Sequence, residues 1–195
     1  MNKILAWTCV ILLIASQCQG AWWVKLGGAA AGGEGEPTCD TGTSVISQLS
    51  ATSAAGTNGY SIGQSFTVSS SFYLYSITIR VNNDAASGNL TVRWGTSTDL
   101  SGTCGIGNNC IEEVTVATPN YPGGGQIYEF VMSTVNELTA GVYYLQVAGS
   151  TNYDISREST SSYTGGDYYY GTAGTWIATS VVSGRDMYFV VKSCD

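Results

Sequence analysis

The segment that decides the fold reads Tyr163-Thr164-Gly165-Gly166-Asp167-Tyr168-Tyr169-Tyr170-Gly171-Thr172-Ala173-Gly174-Thr175-Trp176, and it leads into a closing run that contains Met187, Phe189 and Val191. Aromatic residues favour strands, and the interleaved glycines favour tight turns. In the closing run the apolar residues alternate with Tyr188, Val190 and Lys192, which is the period-2 pattern of a strand. The segment therefore predicts short strands that are joined by tight turns.

The same alternation recurs upstream. Ile77, Ile79 and Val81 share one face of a predicted strand, with Thr78 and Arg80 on the other face. No stretch shows the periodicity of an amphipathic helix. Roughly eight to ten strands without helices predict an all-β domain, and its length fits a two-sheet jelly-roll β-sandwich.

One face of each strand is expected to form the core between the two sheets. The apolar positions of the alternating runs identify this face. The predicted core residues are Ile77, Ile79, Leu90, Val92, Trp94, Tyr128, Phe130, Tyr143, Leu145, Val147, Met187 and Phe189.

The composition excludes several classes of function. The net charge is -7, the pI is about 4.3, and only 11% of the residues are charged, well below the roughly 25% of ordinary soluble domains. An acidic chain without a Lys/Arg cluster is a poor binder of nucleic acid, because phosphate contacts need positive charge. The chain also contains no histidine, which excludes Ser-His-Asp and Cys-His catalysis and histidine-ligated zinc.

The N-terminus predicts secretion. Lys3, the apolar residues 4–15 and the small residues that follow are typical of a signal peptide over residues 1–20. The alternative is an uncleaved anchor, although polar residues interrupt the apolar stretch before it reaches the length that an anchor needs. Residues 21–38 read as a Gly/Ala-rich linker or N-terminal arm, and residues 39–195 as the β-sandwich domain. Trp22 and Trp23 are a signal-region remnant or an arm for self-association.

A set of short motifs resembles a known kind of domain. They are Gln64-Ser65-Phe66-Thr67, Leu138-x-Ala140-Gly141-x-Tyr143-Tyr144, Tyr163-x-Gly165-Gly166, Gly174-x-Trp176 and Asp186-x-x-Phe189. In this order they look like secreted bacterial jelly-roll domains of the choice-of-anchor and carbohydrate-binding-module kind. The resemblance covers residues 39–195 and implies a lectin-like sandwich outside the cell or at its surface, without naming a ligand.

The resemblance also makes a structural calcium ion a candidate. In carbohydrate-binding jelly rolls such an ion often sits near an Asp at the start of the last strand, and Asp186 loosely matches that position. The alternative is that Asp186 caps a turn or pairs with Arg185 or Arg157.

Catalysis by paired carboxylates finds little support. Glu112 and Glu113 are adjacent, so on a strand they point to opposite faces and cannot serve one glycosidase site. Glu129 could still pair in space with Glu113 or Asp154. We therefore expect no enzyme, with glycoside hydrolysis as the residual possibility.

The aromatic cluster is the predicted ligand-binding site. Sugars stack their C–H faces on Tyr and Trp rings, while polar neighbours bond the hydroxyls. Consecutive strand residues alternate, so Tyr169 should face away from Tyr168 and Tyr170, and at least one of the three should be exposed. The predicted stacking platform comprises Tyr163, Tyr168, Tyr170 and Trp176, with core packing as the alternative.

Cys39, Cys104, Cys110 and Cys194 remain after signal cleavage. Four cysteines allow three pairings. We expect Cys104–Cys110 and Cys39–Cys194, which suit an oxidising compartment.

The leading hypothesis is a secreted, non-catalytic module that binds a neutral glycan or surface polymer. The rival is a structural subunit of an extracellular fibre or surface layer.

Overall fold

The computed structural model describes residues 39, 41–57, 60–83, 88–118, 125–160, 162–172 and 174–194. The predicted signal peptide and the predicted linker with Trp22 and Trp23 lie outside these residues. None of the described residues forms a helix long and apolar enough to cross a bilayer. The strands are β1 (Gly42–Gln48), β2 (Ser53–Gly56), β3 (Tyr60–Val68), β4 (Phe72–Asn83), β5 (Gly88–Gly95), β6 (Cys110–Thr118), β7 (Gln126–Leu138), β8 (Gly141–Gly149), β9 (Asp154–Glu158), β10 (Tyr168–Thr172), β11 (Ile177–Val182), β12 (Asp186–Met187) and β13 (Phe189–Cys194).

These strands form two antiparallel sheets, which confirms the predicted all-β sandwich. Sheet I has the order β1-β13-β4-β9-β12, with β7 also paired to β4 and β2 to β9. Sheet II has the order β11-β10-β3-β8-β5-β6. The chain passes from one sheet to the other at most connections, as in a jelly roll, so most neighbours within a sheet are distant in sequence.

The predicted facing of the strands is confirmed in the core. Ile79 of β4 pairs with Phe189 of β13 on one side and with Tyr128 of β7 on the other. All the predicted core residues are buried except Tyr128. Tyr128 is half-buried and packs against the core. Its strand, β7, is paired with β4 alone among the described strands, so it receives cover from one side.

An aromatic cluster joins the two sheets at the centre of the sandwich. The rings of Phe66 in sheet II and Phe189 in sheet I lie 6.1 Å apart. Phe66 also stacks on Tyr143 at 5.9 Å, and Tyr143 in turn contacts Trp94 at 6.3 Å. Aromatic pairs at such distances add stability beyond the area they bury.

The two disulfides are those expected from the sequence. Cys39 pairs with Cys194 across a Cα–Cα distance of 5.0 Å, and Cys104 pairs with Cys110 across 4.6 Å. The first bond joins the start of the described domain to the end of β13, where Gly42 of β1 already pairs with Cys194. The second closes a short loop just before β6. Both ends of the domain are therefore held at the same edge of sheet I.

A buried carboxylate on β6 also joins the two sheets. Glu112 of β6 is 6% exposed. Its Oε1 accepts hydrogen bonds from the backbone N–H and the hydroxyl of Ser133, at 2.6 and 2.7 Å. Its Oε2 accepts from the Thr134 hydroxyl and the Asn136 amide, each at 3.1 Å. A buried carboxylate whose oxygens accept four hydrogen bonds is held firmly in place. Glu112 therefore fastens β6 to β7.

Candidate functional site

The predicted stacking platform requires a correction at Tyr168. This side chain is 0% exposed and belongs to the hydrophobic core. The reason is that β10 lies between β11 and β3, where Tyr168 pairs with Gln64 and faces the core. Burial raises the pKa of Tyr168, and the neighbouring Tyr170 adds to the shift. A surface platform cannot include this residue.

Tyr170 shares the inward face with Tyr168 but lies nearer the rim of the sandwich. It is half-buried, and its ring meets Tyr168 edge-on at 5.4 Å. Its hydroxyl accepts a hydrogen bond from Arg157 Nη1 at 2.7 Å. Tyr60, which is 54% exposed, covers it from outside at 6.0 Å. Tyr170 is thus held by neighbours on several sides.

The other two predicted residues lie elsewhere. Tyr163 is half-buried and packs edge-on against Phe189 at 5.3 Å, and burial raises its pKa. Trp176 is half-buried with a φ of 58°, and its ring lies 4.8 Å from the guanidinium of Arg93. Arg93 is on β5, which β3 and β8 separate from β10 in the order of sheet II. The structure therefore does not bring the four predicted residues together.

The predicted alternation of the three tyrosines is confirmed, but the exposure inferred from it is wrong. Tyr169 points to the opposite face of β10 from Tyr168 and lies over Gly63 of β3. It is nevertheless only 1% exposed. The outer face of sheet II, which carries Tyr169, is partly covered by other parts of the chain.

A groove on this outer face is the best candidate site, and we call it the outer groove. It has a volume of about 480 Å³, within the range of small-molecule sites. Its floor is formed by β3, β8 and β10, and its walls come from β11 and two loops. The described lining residues are Ser65, Thr67, Thr98, Val142, Tyr144, Thr164, Gly165, Gly166, Asp167, Tyr169 and Val181.

Two tyrosines give the outer groove an aromatic floor. The rings of Tyr144 and Tyr169 lie 6.1 Å apart at an angle of 52°. The Tyr169 hydroxyl donates a hydrogen bond to the Leu145 carbonyl at 3.1 Å, which fixes the ring. Burial raises the pKa of Tyr169 well above its ordinary value, and Tyr144 adds to the shift. The Tyr169 ring is therefore uncharged at neutral pH.

One wall is bonded directly to the floor. The Ser65 N–H donates to the Asp167 carbonyl at 2.8 Å, and the Asp167 N–H donates to the Ser65 hydroxyl at 2.7 Å. The Thr67 hydroxyl donates to the Gly165 carbonyl at 2.7 Å. A Cβ on Gly166 would overlap the Ser65 carbonyl, so the wall approaches this closely only because the residue is glycine.

The outer groove offers an amphipathic surface. Tyr144 presents a half-buried ring, and Val181 is 65% exposed at the rim. Hydroxyl groups of Thr67 and Thr98 and the exposed carboxylate of Asp167 lie around them. Among the described lining residues no cation is present. Such a surface suits a neutral ligand with both apolar C–H faces and hydroxyl groups.

The structure gives Asp186, the candidate calcium ligand with turn capping as the alternative, a role in loop geometry. It is 0% exposed, and its Oδ2 accepts hydrogen bonds from the backbone N–H groups of Ser162 and Tyr163, each at 2.9 Å. The described residues contain no group of three or more acidic or cysteine side chains that could hold a metal ion. Asp186 therefore holds the segment that leads to Tyr163.

Comparisons with known proteins do not assign this chain to a family. No protein-family model matches the chain, and no curated protein shows significant similarity to it.

Gly63 is expected to be essential to the floor of the groove. A Cβ at this position would overlap the ring of Tyr169, so Gly63→Ala should displace the ring and lower the free energy of unfolding by about 1–3 kcal/mol. Gly141→Ala is the matched control, because its Cβ would meet its nearest neighbours at 3.9 Å. Urea unfolding of both variants measures the difference, and equal midpoints would contradict the packing described here.

Proposed function

We propose that this protein is a secreted, non-catalytic module that binds a neutral glycan or neutral surface polymer in the outer groove. The observation that carries the proposal is the aromatic floor of Tyr144 and Tyr169 beside the hydroxyls and carboxylate of the wall. A sugar ring would stack its C–H face on Tyr144. Two adjacent sugar hydroxyls would then donate to the carboxylate of Asp167, and Thr67 and Thr98 would bond others.

Two other concave surfaces among the described residues are less suitable. A hollow beside the short disulfide loop is lined by residues such as Gly102, Thr103 and Asn108, without an aromatic ring. A second hollow on the other side of the loop contains Glu112, whose two oxygens already accept four hydrogen bonds. Neither offers a stacking surface together with free polar groups.

The distribution of carboxylates favours binding over catalysis. A glycosidase of the usual kind needs two carboxyl groups about 5–10 Å apart across one substrate. Asp167 is the one acidic residue among the described lining residues of the groove. Glu113 faces outward and pairs with Arg93, while Glu129 accepts from Lys192.

Charge and compartment support the rest of the proposal. A surface with a net charge of -7 repels anionic polymers, which favours a neutral ligand. Two disulfides are typical of proteins in oxidising compartments, which favours an extracellular or cell-surface location.

We expect a dissociation constant of about 10 µM to 1 mM for the glycan, because a shallow groove gains little binding free energy against the cost of association. Salt should change it little, since the ligand carries no charge and salt screens interactions between charges.

The test is a panel of neutral glycans presented to the purified protein and to two tyrosine variants. Tyr144→Ala should weaken binding at least about tenfold and leave the melting temperature nearly unchanged, because its ring is half-buried on the outer face. Tyr73→Ala is the matched control, since Tyr73 is 40% exposed on sheet I. Equal affinities for the two variants would place the binding site elsewhere, and an absence of binding to every glycan would refute the proposal.

A structural subunit remains a second proposal, supported by the edge strands. Among the described strands, β1 and β11 end their sheets, and both lack charged residues. Val45 on β1 and Val181 on β11 are 46% and 65% exposed. Uncharged edges invite pairing with another chain. Light scattering on the purified protein distinguishes the proposals: a monomer favours the binding module, and a polymer favours the subunit.

A further inference from the structure

A short strap crosses the outer face of sheet II beyond the outer groove. It consists of residues 98–100, which follow β5, and it pairs with residues 176–178 at the start of β11. Asp99 and Ile177 form a bridge, the Leu100 N–H donates to the Trp176 carbonyl at 2.8 Å, and the Ala178 N–H donates to the Thr98 carbonyl at 2.9 Å.

The strap closes the part of the face that it crosses. Ser61 and Gln146 point outward from β3 and β8, yet both are 0% exposed. The Gln146 amide donates to the Thr98 carbonyl at 3.0 Å, and its Oε1 accepts from the Ser61 hydroxyl at 3.1 Å. Outward-facing polar residues reach full burial only beneath a cover, so no space for a ligand continues under the strap.

Arg93 fixes the strap in place. Its Nη1 donates to the carbonyls of Leu100 and Gly102, at 2.8 and 3.2 Å, while its Nε bonds Glu113. The ring of Trp176 lies against the same guanidinium. Trp176 also occupies the left-handed region at a φ of 58°, which costs energy for a bulky residue. Several contacts therefore hold this end of the groove shut.

The outer groove runs along β3 and β8 and stops at this strap. Its first row is Thr67 opposite Val142, and its second is Ser65 opposite Tyr144. The third row, Gly63 opposite Gln146, lies where Gln146 bonds the strap. Thr98 of the strap is itself a lining residue. The strap thus closes the groove at one end, and the exposed residues Thr67 and Val142 lie at the other end.

We infer that the outer groove binds the terminal units of a glycan chain and not an internal segment. The inference rests on the proposed function and specifies its ligand class. A terminal unit stacked on Tyr144 meets Thr98 at the closed end, and the rest of the chain leaves past Thr67 and Val142. An internal unit would need a second exit, and the strap occupies that path.

The test presents the same linear oligosaccharides tethered by either end. Cellotetraose, laminaritetraose, maltotetraose and mannotetraose are each immobilised through the reducing end and, separately, through the non-reducing end. For a tetrasaccharide that binds, one orientation should bind at least about tenfold more tightly than the other, because only a free terminus can enter.

The outcomes separate the two proposals. Equal binding in both orientations, with loss of binding in Tyr144→Ala, would overturn end recognition and leave the proposed function standing. Absence of binding to every probe in either orientation would overturn both. Gln146→Ala removes the amide that bonds Thr98, and in this variant the preference for one orientation should fall while binding through Tyr144 persists. An unchanged preference in a correctly folded Gln146→Ala variant would overturn the role of the strap.

Discussion

Phe189→Ala is expected to lower the free energy of unfolding by about 3–5 kcal/mol. Phe189 is 0% exposed, pairs with Ile79 and contacts the rings of Phe66 and Tyr163. Truncation would leave a cavity between the two sheets and also remove the surface on which Tyr163 packs. Since a domain of this kind has a total stability of about 5–15 kcal/mol, the variant should lose a large part of that stability.

Urea denaturation followed by tryptophan fluorescence measures this loss. Ile127→Ala is the control, because Ile127 is 58% exposed on β7, and its truncation should change stability by no more than about 0.5 kcal/mol. If Phe189→Ala and Ile127→Ala unfold at the same urea concentration, the assignment of Phe189 to the centre of the sandwich is wrong.

Loss of the Cys39–Cys194 disulfide should have an effect of similar size. The bond closes a segment with a sequence separation of 155 residues, and chain entropy alone gives about 4–5 kcal/mol as an upper estimate. The bond also holds the start of the domain beside β13. The double variant Cys39→Ser, Cys194→Ser should therefore melt at a much lower temperature than the parent.

The second disulfide provides an internal control. Cys104 and Cys110 are separated by 6 residues, so the same relation gives only about 2 kcal/mol for the double serine variant. Calorimetry on both double variants tests which disulfide contributes more to stability. A larger loss from the Cys104–Cys110 pair would contradict the account of the long disulfide as the main covalent constraint, and a Cys39–Cys104 peptide on non-reducing mapping would contradict the pairing.

The fold could be predicted because strand facing is a local property. Alternation assigns Ile77, Ile79 and Phe189 to one side of their strands without knowledge of any partner. The same rule separates Tyr169 from Tyr168 correctly. The exposure of a side chain is not a local property, because it depends on which strands lie beside its own strand. Nothing local to β10 indicates that it is flanked by β3 and β11, and this position places Tyr168 in the core.

The outer groove could not be predicted because its parts are distant in sequence. The floor joins Ser65 to Tyr144 across β3 and β8, and the wall at Asp167 comes from a third region. Two local signals were nevertheless present. Tyr144 alternates with the core residues Tyr143 and Leu145, which places it on the outer face. Gly63, a glycine inside a strand, is the kind of residue that allows another group to approach closely.

We propose that a neutral glycan binds on the outer face of sheet II and not on the tyrosine cluster at the rim. Amide and aromatic chemical-shift mapping tests it most directly, with the four tetrasaccharides added in turn to the isotope-labelled protein. We predict that the shifts of a binding tetrasaccharide cluster at Ser65, Tyr144 and Asp167, with little change at Tyr60 or Tyr170. Shifts concentrated at Tyr60 and Tyr170, with none around Tyr144, would contradict the account.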